Sequence, residues 1–269
     1  MPRIDLGRFG AVISPATEGF VDQAVELDRL GFSTIWLTGG QMSHLGQVSE
    51  VVQATQSARI ATGIISVDRF SAADVAELYA ELEGVAPGRF VVGLGGAHGA
   101  SPLSTLNGYL DELEPVPVAR RVMAALGPRM LQLARDRAAG AFPVLITPEY
   151  AGQARSALGD DTTLAVSQQA VLETDPEQAR RIARGPLGFL GKLPAYQASF
   201  RRMGFSPDDI ENLSDHLVDG LVAWGDAVSL VARAEELHAA RADHVAFSMI
   251  GDGGSVPLDQ WRALAAALR

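Results

Sequence analysis

A run of apolar residues leads directly into a segment that holds four glycines and one histidine. The stretch is RFVVGLGGAHG, from Arg89 to Gly99. Glycines after a strand allow a ligand to approach the backbone, and imidazole ordinarily titrates near neutral pH. A tight turn that needs positive φ would explain two of the four glycines. The pattern indicates a binding or catalytic loop, with His98 as a candidate proton donor.

Such a stretch has to be weighed against a dinucleotide fingerprint, in which glycines open the backbone to a pyrophosphate. Counting from Gly93 and Gly95, His98 occupies the place of the third glycine. The stretch also lies in the fourth βα unit of the chain and not in the first. The spacing therefore disfavours a dinucleotide site.

Other chemistry-bearing residues are few. His44 follows the apolar run STIWLTG (33–39) and is a second candidate proton donor. The chain has no cysteine and only five histidines, which excludes disulfides, thiolate catalysis and cysteine-ligated clusters, and we expect no metal site. Redox chemistry would need a bound cofactor.

Charge and composition narrow the classes of partner. The formal net charge is −10, which argues against binding to duplex nucleic acid or to anionic membranes. No apolar run is long enough to span a bilayer and the first residues do not resemble a signal peptide, so we expect a cytoplasmic protein. Among the 22 basic residues only Lys192 is a lysine, so a single arginine is weak evidence for a site.

The elements that would position these residues alternate between short apolar strands and longer amphipathic helices, a pattern typical of βα units on a parallel sheet. Eight strands are predicted: 9–14, 33–39, 59–66, 89–96, 122–127, 141–147, 163–173 and 243–251. Eight units in about 250 residues favour an α/β fold of the (β/α)8 TIM-barrel type. An open doubly wound sheet is the alternative. Residues 1–269 are interpreted as one domain, with a helical insertion at about 185–240 between strands seven and eight.

Several blocks, taken in order, resemble the luciferase-like oxidoreductase superfamily, and in particular its branch that uses the deazaflavin coenzyme F420. The resemblance covers nearly the whole chain. The blocks are IATGIISVDRFSAADVAELYAELEGVAPGRFVVGLG, VMAALGPRMLQLARDRAAGAFPVLITPEY, VLETDPEQARRIAR, LGFLGKLPAYQASFRRMGF and LVDGLVAWGD. Members of this superfamily are (β/α)8 barrels with a late insertion.

The resemblance implies where a coenzyme would bind. A non-prolyl cis peptide at the end of strand three, matching Ser66 and Val67, would press on the ring. The ring would also meet the glycine strand. The tail phosphate would lie at the turn after strand five, where a proline at the first helical position leaves amide groups free for an anion. The cofactor-binding positions are Gly39, Ser66, Val67, Gly95, Gly96, Leu126, Gly127, Pro128, Arg129 and Thr147.

The sequence departs from the family after strand two. Many relatives carry an acidic residue or a histidine there, whereas this chain has Thr38, Gly39, Gly40 and Gln41. Aromatic residues of the insertion, Tyr196, Phe200 and Trp224, are candidates for substrate contact, with helix packing as the alternative. The family usually forms homodimers.

These features predict an F420-dependent oxidoreductase that transfers hydride to or from a small organic substrate. An FMN-dependent monooxygenase is one alternative, because the same barrel binds both coenzymes. A non-catalytic coenzyme-binding barrel is another.

Overall fold

The computed structural model describes residues 3–252 and 256–269. Ten strands are present: β1 Phe9–Ile13, β2 Thr34–Leu37, β3 Arg59–Thr62, β4 Ile65–Ser66, β5 Phe90–Gly95, β6 Arg121–Met123, β7 Gly140–Ala141, β8 Thr163–Leu172, β9 Val222–Gly225 and β10 His244–Met249. The helices are α1 Phe20–Leu30, α2 Gly46–Ala54, α3 Ala72–Val85, α4 Pro102–Glu112, α5 Pro128–Arg137, α6 Pro148–Leu158, α7 Pro176–Leu190, α8 Pro194–Arg202, α9 Pro207–Asn212, α10 Asp215–Leu221, α11 Ala227–Ala239 and α12 Leu258–Ala267.

Eight of the strands form a closed parallel barrel. The order is β1, β2, β3, β5, β6, β7, β8 and β10, and β10 pairs with both β8 and β1. Strand residues are buried on both faces, as expected when helices cover a parallel sheet. The predicted (β/α)8 barrel is confirmed, and closure excludes the open doubly wound sheet.

Two predicted strands are interrupted. The predicted strand 59–66 divides into β3 and β4, with a cis peptide between Gly63 and Ile64. The predicted strand 141–147 keeps only Gly140–Ala141 and an isolated bridge from Val144 to Ser167. Pro143 lacks the amide that a ladder requires, and Leu145 has a φ of 54°, in the left-handed region. Both interruptions lie where strands approach the carboxyl end of the barrel.

One strand was missed. The sequence VAWG, which the prediction placed in a largely helical insertion, forms β9 and pairs in parallel with the last residues of β8. It occupies the edge of β8 that β7 leaves free, because β7 pairs only with Thr163 and Leu164. Before it, α7 to α10 enclose an apolar cluster of their own, which includes Leu187, Phe200 and Leu217.

The barrel interior is filled by an aromatic pair. Trp36 and Phe142 stack with ring centroids 3.8 Å apart and an interplanar angle of 3°. The Trp36 indole N–H donates to Nε2 of His244 at 3.1 Å, and Nδ1 of His244 donates to the Gly7 carbonyl at 2.8 Å. Complete burial lowers the pKa of His244 to about 4, so the ring is neutral near neutral pH.

Residues 3–8 close the amino end of the barrel. Ile4 and Leu6 join the interior cluster. The hydroxyl of Thr34 donates to the Leu6 carbonyl at 2.6 Å, and that of Thr163 donates to the Ile4 carbonyl at 3.0 Å. Access to the interior is thus left to the carboxyl end. No helix within the described residues is long and apolar enough to cross a membrane.

Candidate active site at the carboxyl end of the barrel

The carboxyl ends of β1, β2 and β10 border a cavity of about 880 Å³, with α7 and α12 completing its wall. Its volume lies in the range of small-molecule sites, and its position is the face where such barrels carry their active sites. Ile13, Met249, Ile250 and Trp261 supply apolar surface. Thr38 and Gln41, the uncharged polar residues that follow β2, also line it.

Four charged side chains surround this cavity: Glu18, Asp22, Arg181 and Asp252. Arg181 of α7 pairs with Asp252 after β10, with one nitrogen 2.8 Å and another 3.3 Å from the carboxylate oxygens. Within the described residues, neither Glu18 nor Asp22 forms an ion pair. The lining is therefore net negative.

A buried polar atom, Oε1 of Gln169, lies on the strand next to the cavity wall, although Gln169 itself does not line the cavity. Gln169 is 7% exposed, and its Oε1 has no hydrogen-bond partner among the described residues. It follows Ala165 and Ser167 on the strand face that points into the barrel, since alternate residues share a face. Its register partner on β10 is Ser248, which lines the cavity. An unpaired buried acceptor is costly unless a ligand or water completes it.

The predicted ring-contacting residues lie on the neighbouring part of the mouth and do not line this cavity. Ser66 and Val67 pair with β5: Ser66 is in register with Gly95, and the Val67 amide donates to the Gly95 carbonyl at 2.9 Å. The cis peptide is therefore misplaced in the sequence-based prediction. It lies at Gly63–Ile64, because Ser66 and Val67 belong to a regular ladder and the chain changes course before it.

The glycines of this region are occupied with packing against the β3–β4 break. A Cβ on Gly93 would lie 1.8 Å from the Thr62 carbonyl oxygen, and one on Gly39 would lie 1.7 Å from the Ile64 carbonyl oxygen. The Ile64 side chain covers Gly95, whereas Gly96 has a φ of 80° beside Ser66. The backbone at Gly39 and Gly93 is thus in close contact with other backbone atoms of the protein, which explains these glycines without a ligand.

A partly exposed surface, in which all side chains except that of Ile64 are small, remains above this packing. Its residues are Gly63, Ile64, Gly96, Ala97 and Ala124, all of intermediate exposure. These residues directly follow β3, β5 and β6, so the surface lies between the cavity at β1 and the turn that follows β6.

The predicted tail site is the turn from Leu126 to Arg129. Gly127 is the N-cap of α5 and makes no side-chain cap, and Pro128 is the first helical residue. Pro128 and Arg129 are exposed. The Leu126 carbonyl accepts from the Tyr150 hydroxyl at 2.7 Å and from the Arg202 guanidinium at 2.9 Å. An uncapped helix start thus faces solvent beside a cation.

The sequence gives no signal for Arg202, since arginine is common in this chain and Arg202 lies more than 70 residues after the turn. Thr147, the remaining tail position, is the N-cap of α6, and its hydroxyl accepts from the Tyr150 amide at 3.3 Å. That bond leaves Thr147 in a structural role on one side of the turn.

The two candidate proton donors differ in their surroundings. Nδ1 of His98 lies 2.8 Å from Oδ2 of Asp68, which also accepts the His98 amide at 3.0 Å. Asp68 therefore orients an exposed imidazole at the end of β5, and it was not singled out from sequence. His44 is exposed in the loop after β2, and neither His44 nor His98 lines the cavity.

The aromatic candidates of the insertion do not line the cavity. Phe200 is completely buried in the cluster of α7 to α10. Burial raises the pKa of Tyr196 to about 12. The Trp224 indole donates to Asp219 at 2.8 Å, and Arg180 lies over its ring. Among the described residues, no group of three or more histidine or carboxylate side chains could hold a metal ion.

Residues 6–114 match the family model described as luciferase-like monooxygenase, which confirms the predicted resemblance to the luciferase-like superfamily over that part of the chain. No curated protein matches the sequence. The family and the solved structures that resemble the chain are oxidoreductases and monooxygenases, in agreement with the enzyme class predicted from sequence.

Three solved structures illustrate the likeness, and at their low sequence identities they establish the fold. An F420-dependent secondary alcohol dehydrogenase with an F420–acetone adduct has a TM-score of 0.73 and 17% identity over 99% of this chain and 98% of its own. A coenzyme F420-dependent tetrahydromethanopterin reductase from Methanopyrus kandleri has a TM-score of 0.74 and 15% identity over 97% of both chains. A type II Baeyer–Villiger monooxygenase, the oxygenating constituent of 3,6-diketocamphane monooxygenase of Pseudomonas putida in complex with FMN, has a TM-score of 0.66 and 12% identity over 96% of this chain and 95% of its own.

Proposed function

We propose that the protein is a coenzyme F420-dependent oxidoreductase that transfers hydride between the deazaflavin and a small organic substrate, and that the chain is one luciferase-like domain. The observation that carries the proposal is the uncapped start of α5 at Gly127, beside Arg202, on the same mouth as the cavity. The two F420-dependent neighbours also have higher TM-scores than the FMN complex.

The residues present fit a planar group with an anionic tail. The small side chains of Gly63, Gly96, Ala97 and Ala124 leave room for a ring. Beyond them, the amide of Arg129 and the guanidinium of Arg202 can both donate to an anion, and the positive end of the α5 dipole favours it. Strand order separates the turn after β6 from the cavity at β1 by about half the barrel.

A bound deazaflavin would supply two-electron hydride chemistry. The protein's own residues would then divide the remaining tasks. Arg202 and the α5 amides hold the tail, the small-residue surface supports the ring, and the cavity at β1, β2 and β10 receives the substrate. His98, oriented by Asp68, is the preferred proton donor, with His44 as the second candidate.

The test is parallel titration of the purified protein with F420 and with FMN, followed by absorbance and protein fluorescence. We expect saturable binding of F420 that is at least about tenfold tighter than that of FMN, a difference of about 1.4 kcal/mol. Tighter FMN binding, with oxygen consumption on reduction, would support the alternative of an FMN-dependent monooxygenase. That alternative is favoured by the description of the matching family and by the FMN-bound neighbour.

Binding of F420 without turnover of any substrate would favour a non-catalytic barrel. We also propose that the protein is cytoplasmic and that it forms a homodimer; the second of these proposals follows from the family resemblance. Sedimentation equilibrium across a concentration series would test the dimer.

A further inference from the structure

The cavity at β1, β2 and β10 is lined by three acidic side chains and one basic side chain among the described residues. Glu18 and Asp22 lie near the start of α1, are exposed, and form no ion pair among the described residues. The cation in the described lining, Arg181, is already bound by Asp252. A ligand in this cavity therefore meets two free carboxylates and no free cation among those residues.

A second, independent feature points the same way. Oε1 of Gln169 is a hydrogen-bond acceptor that is buried, unpaired and on the same inner layer as Ser248 of the cavity wall. It requires a donor from a ligand or from water. In the opposite sense, the Trp261 indole N–H is a buried donor without a partner, which suits an oxygen atom on the same ligand.

We propose that this cavity binds a small organic substrate that carries a protonated amine. The carboxylates of Glu18 and Asp22 attract the ammonium group, Gln169 accepts one of the N–H donors, and the apolar surface of Met249 and Ile250 contacts the carbon skeleton. The same charges disfavour anionic substrates such as carboxylates and phosphate esters. The inference rests on the proposed function, since it names the substrate class of that enzyme.

The experiment measures binding of three probes of similar shape to the coenzyme-free protein: benzylammonium, benzyl alcohol and benzoate. Calorimetry and saturation-transfer NMR at neutral pH and low salt report on each probe. We expect benzylammonium to bind about fivefold or more tightly than benzyl alcohol, with benzoate the weakest. The preference should shrink as salt is raised, because the carboxylates are exposed.

Two variants locate the effect. The double substitution Glu18→Gln and Asp22→Asn should remove most of the preference for benzylammonium over benzyl alcohol. The matched control, Glu81→Gln with Asp161→Asn, changes two exposed carboxylates away from the cavity and should leave the preference intact. Gln169→Leu should weaken benzylammonium without increasing the affinity for benzoate. Thermal midpoints verify that each variant is folded.

The inference is overturned if benzoate binds as tightly as benzylammonium, if the cavity variant keeps the full preference, or if none of the probes binds at millimolar concentration. A separate F420 titration distinguishes this failure from failure of the proposed function. Binding of F420 together with a preference for benzoate would reject the substrate class alone. A preference for benzylammonium without F420 binding would reject the coenzyme assignment.

Discussion

The Thr62 hydroxyl is joined twice to the backbone of Gly93: it accepts the Gly93 amide at 2.9 Å and donates to the Gly93 carbonyl at 3.0 Å. Regular pairing between β3 and β5 extends only from Ile60–Phe90 to Ala61–Val91. The side chain of Thr62 thus satisfies the two peptide groups of Gly93 where the ladder stops. The chain is then free to turn at Gly63 before β4 resumes pairing with β5.

Gly93→Ala should destabilise the protein severely. The added methyl group would lie 1.8 Å from the Thr62 carbonyl, and both residues are buried in the barrel wall. We expect a loss of more than about 3 kcal/mol in the free energy of unfolding, measured with denaturant. Gly108→Ala in α4, where no atom lies within 4 Å, is the control and should be neutral or mildly stabilising. Equal stability of the two variants would contradict this account of the β3–β4 break.

Stability should fall as pH is lowered from about 6.5 towards 4. Burial holds the pKa of folded His244 at about 4, below its value in the unfolded chain. The unfolded state therefore binds the proton first, and up to about 3 kcal/mol is lost across this window. Denaturant titrations at several pH values measure the slope. His244→Gln should flatten it, whereas His216→Gln, at an exposed position, should not; an unchanged slope in His244→Gln would refute the assignment.

Arg202→Gln should weaken binding of a coenzyme that carries a tail phosphate by about tenfold, because a charge-assisted contact beside α5 is lost. Fluorescence titration at two salt concentrations measures the change, and the variant should also be less sensitive to salt. Arg201→Gln removes the neighbouring exposed cation of α8 and is the matched control. Identical affinities for the two variants would argue against Arg202 at the tail.

Asp68→Asn should reduce kcat with little change in coenzyme affinity. The Asp68 carboxylate accepts hydrogen bonds from both the ring nitrogen and the backbone amide of His98. Loss of the carboxylate charge therefore frees the imidazole to rotate. We expect about a tenfold decrease for Asp68→Asn and about a hundredfold decrease for His98→Gln. His44→Gln is the comparison. If it lowers kcat more than His98→Gln does, the two histidines exchange roles.

The eightfold barrel could be predicted because its strands are short apolar runs and several of its helices carry their own start signals. Asp175 before Pro176 and Ser206 before Pro207 are N-caps whose side chains accept backbone amides of the helix that follows. The segment AFPVLIT has the pattern of one apolar strand, yet only Ala141 belongs to β7 and only Val144 forms a further bridge, because the ladder is broken at Pro143 and at the left-handed Leu145. In this segment and at β9, the extent of the strand depends on pairing with residues distant in sequence, which a local pattern does not predict.

The candidate site was predicted less completely than the fold. The glycine-rich segment after β5 and the Gly127–Pro128 turn could be predicted from sequence, since both depend on local backbone conformation. The approach of Arg202 to Leu126, the pairing of Asp68 with His98 and the cavity charges depend on which loops meet at one end of the barrel. Gln169 lies within an apolar strand, and only the closed barrel gives its oxygen no partner.

Residues 3–8 close the amino end of the barrel, so substitutions at the two ends of the barrel should have different effects. Because Ile4 and Leu6 fill the amino end of the barrel, substitutions around them should change the unfolding rate of the protein and leave its substrate specificity unchanged. The loops at the carboxyl end can then vary in sequence while the closed amino end maintains the fold. Stability therefore depends mainly on residues at the amino end of the barrel, and substrate specificity on residues at the carboxyl end.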